Sequence, residues 1–220
     1  LNFSTTDLQT RIGVGANKWS GRKSVSVIRA NDISTIAISL PMVSSFILPV
    51  AAGAAVGTAA GRGLEYASSL GNLWYTDNGT VEAYRLNTAT GAVLSSFDLT
   101  GTDPRDITWD GTNLWVVGDT LNEVYRLNTL GTILSSFDTP STSPRGITYL
   151  NNYLYLSDAN TDQIYRLNTI GTNLAQFATP AATPEGLTNN GIDLFSGDAN
   201  DIIYKLNTAG TILASYTSPL

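Results

Sequence analysis

Arginines recur at one position of a repeating pattern after residue 61, and they are the first candidates for binding chemistry. Arg62, Arg105 and Arg145 each stand two residues before a leucine or isoleucine, and Glu185 takes the corresponding place further along. A guanidinium group binds a carboxylate or phosphate through two parallel hydrogen bonds. If the four side chains converge, they predict a site for an anion or a sugar acid. Otherwise the arginines are solvated or pair with neighbours such as Asp106.

Four aspartates form a second recurring set, and each is predicted to end a strand. An aspartate at the start of a turn usually accepts hydrogen bonds from the backbone N–H groups that follow it. Calcium instead requires several oxygen ligands at short range, which equivalent positions in separate repeats do not provide. We therefore predict a structural role for the set, with a metal site as the weaker alternative and no cofactor. Its members are Asp77, Asp119, Asp158 and Asp198.

The chain lacks the residues on which most catalytic sites depend. It contains no histidine and no cysteine, so the commonest general base, the usual zinc ligands and a thiolate nucleophile are all missing. No G-x-S-x-G segment is present, and the glycine-rich segments have no lysine after them to hold a phosphate. We predict no catalytic residues and a protein that is not an enzyme.

The elements that must position these side chains form a repeat. YRLNT begins at Tyr84, Tyr125 and Tyr165 and YKLNT at Tyr204, with spacings of 41, 40 and 39 residues. Each unit holds four short runs rich in strand-forming residues, separated by Asn, Asp, Gly and Pro. Four strands in about 40 residues are typical of a β-propeller blade. The prediction is an all-β propeller with four-stranded blades at about residues 62–100, 104–139, 144–179 and 184–219.

Two further sets of repeated residues are assigned to the faces of the blades. Aromatic rings in the second strand are predicted to fill the space between blades: Trp74, Trp115, Tyr155 and Phe195. Basic residues after the repeated tyrosine are predicted to form ion pairs on a blade face, with an Asp or Glu of the neighbouring blade as one candidate partner: Arg85, Arg126, Arg166 and Lys205.

The repeat also resembles a known family. The segment PRGIT, followed by LYLSDANTDQIYRLN, is similar to the NHL-type propeller repeat and to blades of the streptogramin-lyase-like and gluconolactonase-like superfamily. The resemblance covers residues 62–219 and implies the propeller fold. Its members include binding platforms, scaffolds, lyases and lactonases. The lyases depend on histidine, which this chain lacks, and the lactonases use acidic residues around a divalent ion.

Residues 1–61 differ from the repeats and form a separate predicted region. Residues 10–50 echo a blade weakly, so they are either a degenerate fifth blade or an extended β-rich arm that pairs with another subunit. Residues 51–61 have the composition of a small-residue linker. Because residues 33–61 carry no charge, a membrane helix is an alternative prediction for this segment, but its prolines and polar residues disfavour a helix.

Charge separates the two regions and limits the partners. Residues 1–61 carry a net charge of +3 and the remainder a net charge of −9. The acidic residues 62–220 would repel the phosphate backbone of a nucleic acid, so no nucleic-acid partner is predicted. The basic region is suited to an acidic neighbour, such as the body of another copy.

The function predicted first is a non-enzymatic structural or adhesive propeller, a subunit of an extracellular, virion or filament assembly. Residues 1–61 would contact another copy, another surface protein or a glycan. The alternatives are a monomeric ligand- or glycan-binding propeller that uses the arginines, and a metal-dependent lactonase or hydrolase. Two short sequons, at Asn2 and Asn78, give weak support to an extracellular or surface location.

Overall fold

The structure is a computed structural model that describes residues 61–217 in full and three short strands before them. The early strands are β1 (Val27–Ala30), β2 (Ile33–Ile36) and β3 (Phe46–Ile47), which pair antiparallel in that order. Most of residues 1–61, including the predicted linker, lies outside the described residues. The degenerate blade and the extended arm therefore both stay predictions.

Residues 61–217 form four antiparallel sheets of four strands, and this confirms the predicted β-propeller. In each sheet the strands follow one another in chain order. Blade 1 contains β4 (Gly61–Ala67), β5 (Asn72–Asp77), β6 (Glu82–Asn87) and β7 (Val93–Asp98). Blade 2 contains β8 (Pro104–Trp109), β9 (Leu114–Gly118), β10 (Glu123–Leu127) and β11 (Ile133–Asp138). Blade 3 contains β12 (Pro144–Leu150), β13 (Tyr153–Asp158), β14 (Gln163–Leu167) and β15 (Asn173–Ala178). Blade 4 contains β16 (Pro184–Asn189), β17 (Leu194–Asp198), β18 (Ile202–Leu206) and β19 (Ile212–Thr217).

The hydrophobic core consists of three layers, each between one blade and the next. Side chains alternate between the two faces of a strand, so every blade presents one face to the preceding blade and one to the following blade. Trp74 of blade 1 packs with Ile107 and Val116 of blade 2. Trp115 packs in the same way with Ile147 of blade 3, and Tyr155 with residues of blade 4. The prediction that these aromatic rings lie between blades is confirmed for Trp74, Trp115 and Tyr155, which are fully buried.

Glycines in the last turn of each blade allow neighbouring blades to approach closely. Gly171 has a φ of +88°, and a Cβ atom on it would lie 2.5 Å from the Cγ atom of Phe137 in the preceding blade. Gly131 has the same relationship with Phe97. Only a residue without a side chain permits both this backbone conformation and this contact. The phenylalanines of the fourth strands therefore pack under the glycine turns of the next blade.

No element in the described part of the chain covers the following face of the last blade. Phe195 is partly exposed at the position where Trp74 and Trp115 are buried, and Ile203 is 39% exposed. A Cβ atom on Gly186 would meet nothing within 4 Å, whereas the equivalent Gly146 lies against the backbone of blade 4. Tyr216, at the position of the packed phenylalanines, is 51% exposed. The apolar following face of blade 4 is thus left open.

The first blade is open on the opposite side. Leu64 is 43% exposed, although the equivalent Ile107 and Ile147 are almost completely buried against the preceding blade. Tyr66 is 55% exposed, at the position where Trp109 packs onto blade 1. In each interface between consecutive blades, a following face packs against the first strand of the next blade. The open face of blade 4 corresponds to the first of these two sides, and Leu64 and Tyr66 correspond to the second.

Two of the basic residues that follow the repeated tyrosine make contacts other than the predicted ion pairs. Arg126 lies over the ring of Trp115, 5.6 Å from its centroid, and Arg166 lies 5.0 Å from the centroid of Tyr153. Arg126 pairs across the sheet with Trp115, the residue whose ring it covers, whereas Arg166 pairs with Tyr155 and lies over the ring of Tyr153, two residues earlier on the same strand. Lys205 does form an ion pair, with Asp193 of its own blade.

Candidate functional site

The predicted arginine set lines one cavity at the start of the first strands. Arg62, Arg105, Arg145 and Glu185 are each the second residue of β4, β8, β12 and β16, and these strands lie side by side in successive blades. The register of the repeat therefore brings four residues together that are about 40 positions apart in sequence. Their cavity has a volume of about 300 Å³. Whether it binds a ligand stays a prediction.

The three arginines of the cavity differ in their partners. Arg105 forms an ion pair with Asp119, and not with Asp106 or Asp103 as the sequence suggested. Arg62 is exposed and Arg145 is half-buried, and neither has an ion-pair partner in the part of the chain that the structure describes. The buried Nε atom of Arg145 also lacks a hydrogen-bond partner there. Two guanidinium groups thus remain available to an anion.

Asp106 is a cavity residue that the sequence analysis did not assign to the site. It replaces the glycine found at the equivalent positions 63, 146 and 186. Its Oδ1 atom accepts a hydrogen bond from the N–H of Ile107 at 2.9 Å, and its Oδ2 atom accepts one from the N–H of Ile147 at 2.8 Å. The sequence did distinguish this residue, because aspartate stands at a repeat position that glycine occupies in the other three units.

Burial raises the pKa of two carboxyl groups that lie on the first strands of blades 1 and 2. It raises the pKa of Asp106 to about 8, although hydrogen bonds from Ile147 and Ile107 oppose this effect. Burial also raises the pKa of Glu65 to about 7, against a hydrogen bond from the N–H of Trp109. A large share of the Asp106 carboxyl group is therefore protonated near neutral pH. Asp106 then opposes an incoming anion less than an ionised carboxylate would.

The remaining wall of the cavity is largely apolar and comes from the first and last blades. Leu64 of blade 1 and Phe195, Ile203 and Leu187 of blade 4 line it. The ring of Phe195 is only partly buried, because no further blade within residues 61–217 covers it. Thr188 adds an exposed hydroxyl group, whereas the equivalent Thr108 of blade 2 accepts a bond from the next blade. The cavity therefore combines free guanidinium groups with an aromatic face.

Three of the four repeated aspartates have the predicted structural role. The Oδ1 atom of Asp77 accepts bonds from the N–H groups of Gly79 and Thr80, at 2.7 and 3.1 Å. The Oδ1 atoms of Asp158 and Asp198 likewise accept backbone N–H bonds from the turns that follow them. These carboxylates hold the turns between the second and third strands.

The fourth aspartate of this set is displaced. Strand β9 ends at Gly118, which pairs with Pro104, whereas Asp77, Asp158 and Asp198 themselves occupy the corresponding place. Asp119 therefore falls one residue later and turns to Arg105, so the expectation of four equivalent aspartates is wrong at this position. Within residues 61–217 and the short strands described, no group of three acidic side chains could hold a metal ion.

Two other sequence predictions concern the surface and the membrane. Asn78 lies half-buried in the turn after β5, while Asn2 is outside the described residues. No helix among the described residues is both long enough and apolar enough to cross a membrane. Most of the uncharged segment 33–61 lies outside that part of the chain.

Comparisons with known proteins give the fold and leave the activity open. No protein-family model and no curated protein matches the chain. Glutaminyl cyclase from Myxococcus xanthus is similar over 73% of this chain and 72% of its own, with a TM-score of 0.64 and 13% identity. Virginiamycin B lyase from Staphylococcus aureus is similar over 87% of this chain and 64% of its own, with a TM-score of 0.58 and 23% identity. A chain of the nidogen/laminin complex is similar over 88% of this chain and 92% of its own, with a TM-score of 0.58 and 15% identity.

These similarities confirm the predicted resemblance to streptogramin-lyase-like propellers at the level of the fold. At such low identity they show the fold alone. The chain spans less than two thirds of the virginiamycin B lyase chain that it matches. The similar structures include two enzymes and a chain of the nidogen/laminin complex, so the fold is compatible with both catalytic and binding functions.

Proposed function

We propose that this protein is a non-catalytic structural or adhesive β-propeller that assembles with further copies of itself. The observation that carries the proposal is the open face of blade 4, where Ile203 and Tyr216 are exposed and Phe195 is partly exposed, at positions that are packed in the other blades. Unpaired apolar faces of this kind are typical of protein–protein contacts. An assembled surface protein is consistent with the absence of histidine from the chain.

The partner of this open face is the first blade of a second copy. Leu64 and Tyr66 occupy the positions whose equivalents already pack on such a face three times within the chain, and both are exposed. The contact is heterologous, because two different surfaces meet, and it can therefore grow head to tail. Each new interface would repeat the packing between consecutive blades.

Light scattering over a series of protein concentrations tests the assembly. We expect wild-type mass to increase with concentration, and Tyr216→Asp and Tyr66→Asp each to remain monomeric, because a buried unpaired carboxylate disrupts the contact. Neither tyrosine lines the arginine cavity. Leu130→Asp is the matched control, since Leu130 is 82% exposed in a turn of blade 2. It should assemble like the wild type.

A mixture of the two variants gives the sharpest test. Tyr216→Asp retains an intact first blade and Tyr66→Asp retains an intact last blade, so together they should form a one-to-one dimer that grows no further. A wild-type protein that is monomeric at every concentration would contradict the proposal. Oligomers that persist in both variants would overturn the contact between blades and direct attention to residues 1–61, as the charge asymmetry predicted.

An extracellular or surface location, on a cell or a virion, is part of the same proposal. It rests on the assembly function and on the sequon at Asn78, which lies in a turn between two strands. Mass spectrometry of protein secreted from a glycosylating host tests it. A glycan on Asn78 would support the location, and secretion with an unmodified Asn78 would remove this support.

A further inference from the structure

We infer that the arginine cavity between the first and last blades binds a sugar acid, a small ring with one carboxylate and several hydroxyl groups. The cavity shares Leu64, Phe195 and Ile203 with the proposed assembly contact, so the inference concerns the unassembled chain, and it does not rest on the assembly. Three features of the cavity carry it: unpaired positive charge, additional polar groups beside that charge, and an apolar wall with an aromatic ring.

The unpaired charge selects the carboxylate. Arg62 and Arg145 have no ion-pair partner among the described residues, whereas Arg105 is already neutralised by Asp119. The Nε atoms of Arg105 and Arg145 are both buried without a hydrogen-bond partner, which is costly unless a ligand supplies an acceptor, but of the two only Arg145 also lacks an ion pair among the described residues. A carboxylate accepts two parallel hydrogen bonds from one guanidinium group. Arg145 is therefore the principal anchor and Arg62 the second.

The other polar groups select a ligand that also carries hydroxyls. Glu185 lines the same cavity as the arginines, and a simple inorganic anion would gain nothing from its carboxyl group. A hydroxyl group can donate a hydrogen bond to a carboxylate oxygen and accept one from a neighbouring donor. Thr188 provides a further hydroxyl group on the same wall. These groups favour a polyhydroxylated anion over phosphate or acetate.

The apolar wall and the size of the cavity select a single ring. The C–H groups of a sugar ring form an apolar face that can lie against the ring of Phe195, with Leu64 and Ile203 beside it. A cavity of about 300 Å³ is at the small end of the range for ligand sites and suits one monosaccharide unit.

Titration calorimetry of the full chain with glucuronate, at protein concentrations where light scattering finds a monomer, tests the inference, with glucose as the neutral partner of the same shape. We expect saturable binding of glucuronate and at least about tenfold weaker binding of glucose, which corresponds to one charge-assisted contact. Arg145→Ala should weaken glucuronate binding at least about tenfold by the same reasoning. Arg145→Lys retains the charge and should recover only part of the affinity, because lysine lacks the paired donors.

The control variant is Arg85→Ala, which removes the same charge outside the cavity. Arg85 has no ion pair in the described part of the chain and does not line the cavity, so its loss should leave glucuronate binding unchanged. Circular dichroism establishes that each variant is folded. No binding of glucuronate by the wild type, or equal loss in Arg85→Ala and Arg145→Ala, would overturn the site. Acetate or phosphate binding as tightly as glucuronate would overturn the assignment to a sugar acid.

Discussion

Asp106 connects the second blade to the third, because its Oδ2 atom accepts the backbone N–H of Ile147 at 2.8 Å. Its other carboxylate oxygen accepts the N–H of Ile107 within its own blade. On the opposite side, a Cβ atom on Gly63 of blade 1 would lie 2.7 Å from the Asp106 Cα atom. One partly buried carboxyl group therefore contacts three consecutive blades.

This position makes stability depend on pH. The pKa of Asp106 rises to about 8 in the folded protein from an ordinary value of 3.8, and that of Glu65 to about 7 from 4.5. The folded state thus binds these protons more tightly than the unfolded state. The contribution of these two groups to the free energy of unfolding is therefore greatest below pH 4, and it decreases as the pH rises towards 8.

Urea unfolding at a series of pH values from 5 to about 8.5 measures this dependence. Asp106→Asn and Glu65→Gln should each flatten the decrease. The Glu65→Gln amide oxygen can still accept the N–H of Trp109, whereas Asp106→Asn leaves one of two N–H groups without an acceptor. The slope, not the absolute stability, is the quantity to compare. Slopes equal to that of the wild type in both variants would contradict the expected titration.

Replacement of the turn glycines should separate backbone strain from steric conflict between blades. Gly171 and Gly191 have φ values of +88° and +89°, but only a Cβ atom on Gly171 would strike the ring of Phe137. We expect Gly191→Ala to cost about 1 kcal/mol for the left-handed conformation. Gly171→Ala should cost about 1–3 kcal/mol more, since Phe137 must move. Equal costs in denaturant unfolding would show that the two blades are not in tight contact.

Truncation of the side chain at one repeat position should lower the free energy of unfolding by different amounts in different blades. Ile147→Ala should lower the free energy of unfolding by about 2–5 kcal/mol, because it leaves a cavity between blades 2 and 3. Leu64 holds the equivalent place but is 43% exposed, so Leu64→Ala should cost less than about 1 kcal/mol. Chemical denaturation of the monomeric Tyr66→Asp background avoids any contribution from assembly. A large effect at Leu64 there would mean that the first blade is covered.

Divalent metal ions should not stabilise the protein. The carboxylates of Asp77, Asp158 and Asp198 already accept backbone N–H bonds in their turns, and they lie in separate blades. We expect the melting temperature to be the same in calcium, in zinc and in chelator, because no folded-state site contributes binding energy. A saturable rise with calcium that chelator reverses would contradict this expectation and revive the metal-dependent lactonase or hydrolase alternative.

The repeat alone was sufficient to predict the blades and the roles of most of their residues. Tyr84 and its equivalents recur every 39 to 41 residues, and this period reports local strand and turn propensities that hold in any context. The positions of Trp74, Trp115 and Tyr155 between blades followed from the same pattern. The alignment of Arg62, Arg105 and Arg145 at one cavity also follows from a repeat that stacks equivalent strands side by side.

Contacts between individual side chains could not be predicted, because they depend on distances that a repeat pattern does not contain. The displacement of Asp119, its pairing with Arg105 and the position of Arg126 over Trp115 each depend on strand register and nearest neighbours in space. The raised pKa of Asp106 likewise arises from burial between blades.

The sequence by itself determined that this chain builds four nearly identical four-stranded units, since the spacing of strand and turn residues is a local property. Only the tertiary structure decided which faces of those units are buried. Leu64 and Ile107 belong to the same repeat position, yet one is exposed and the other is covered. Burial depends on the presence of a neighbouring blade, and among the described residues no blade lies against the outer side of the first or the last unit.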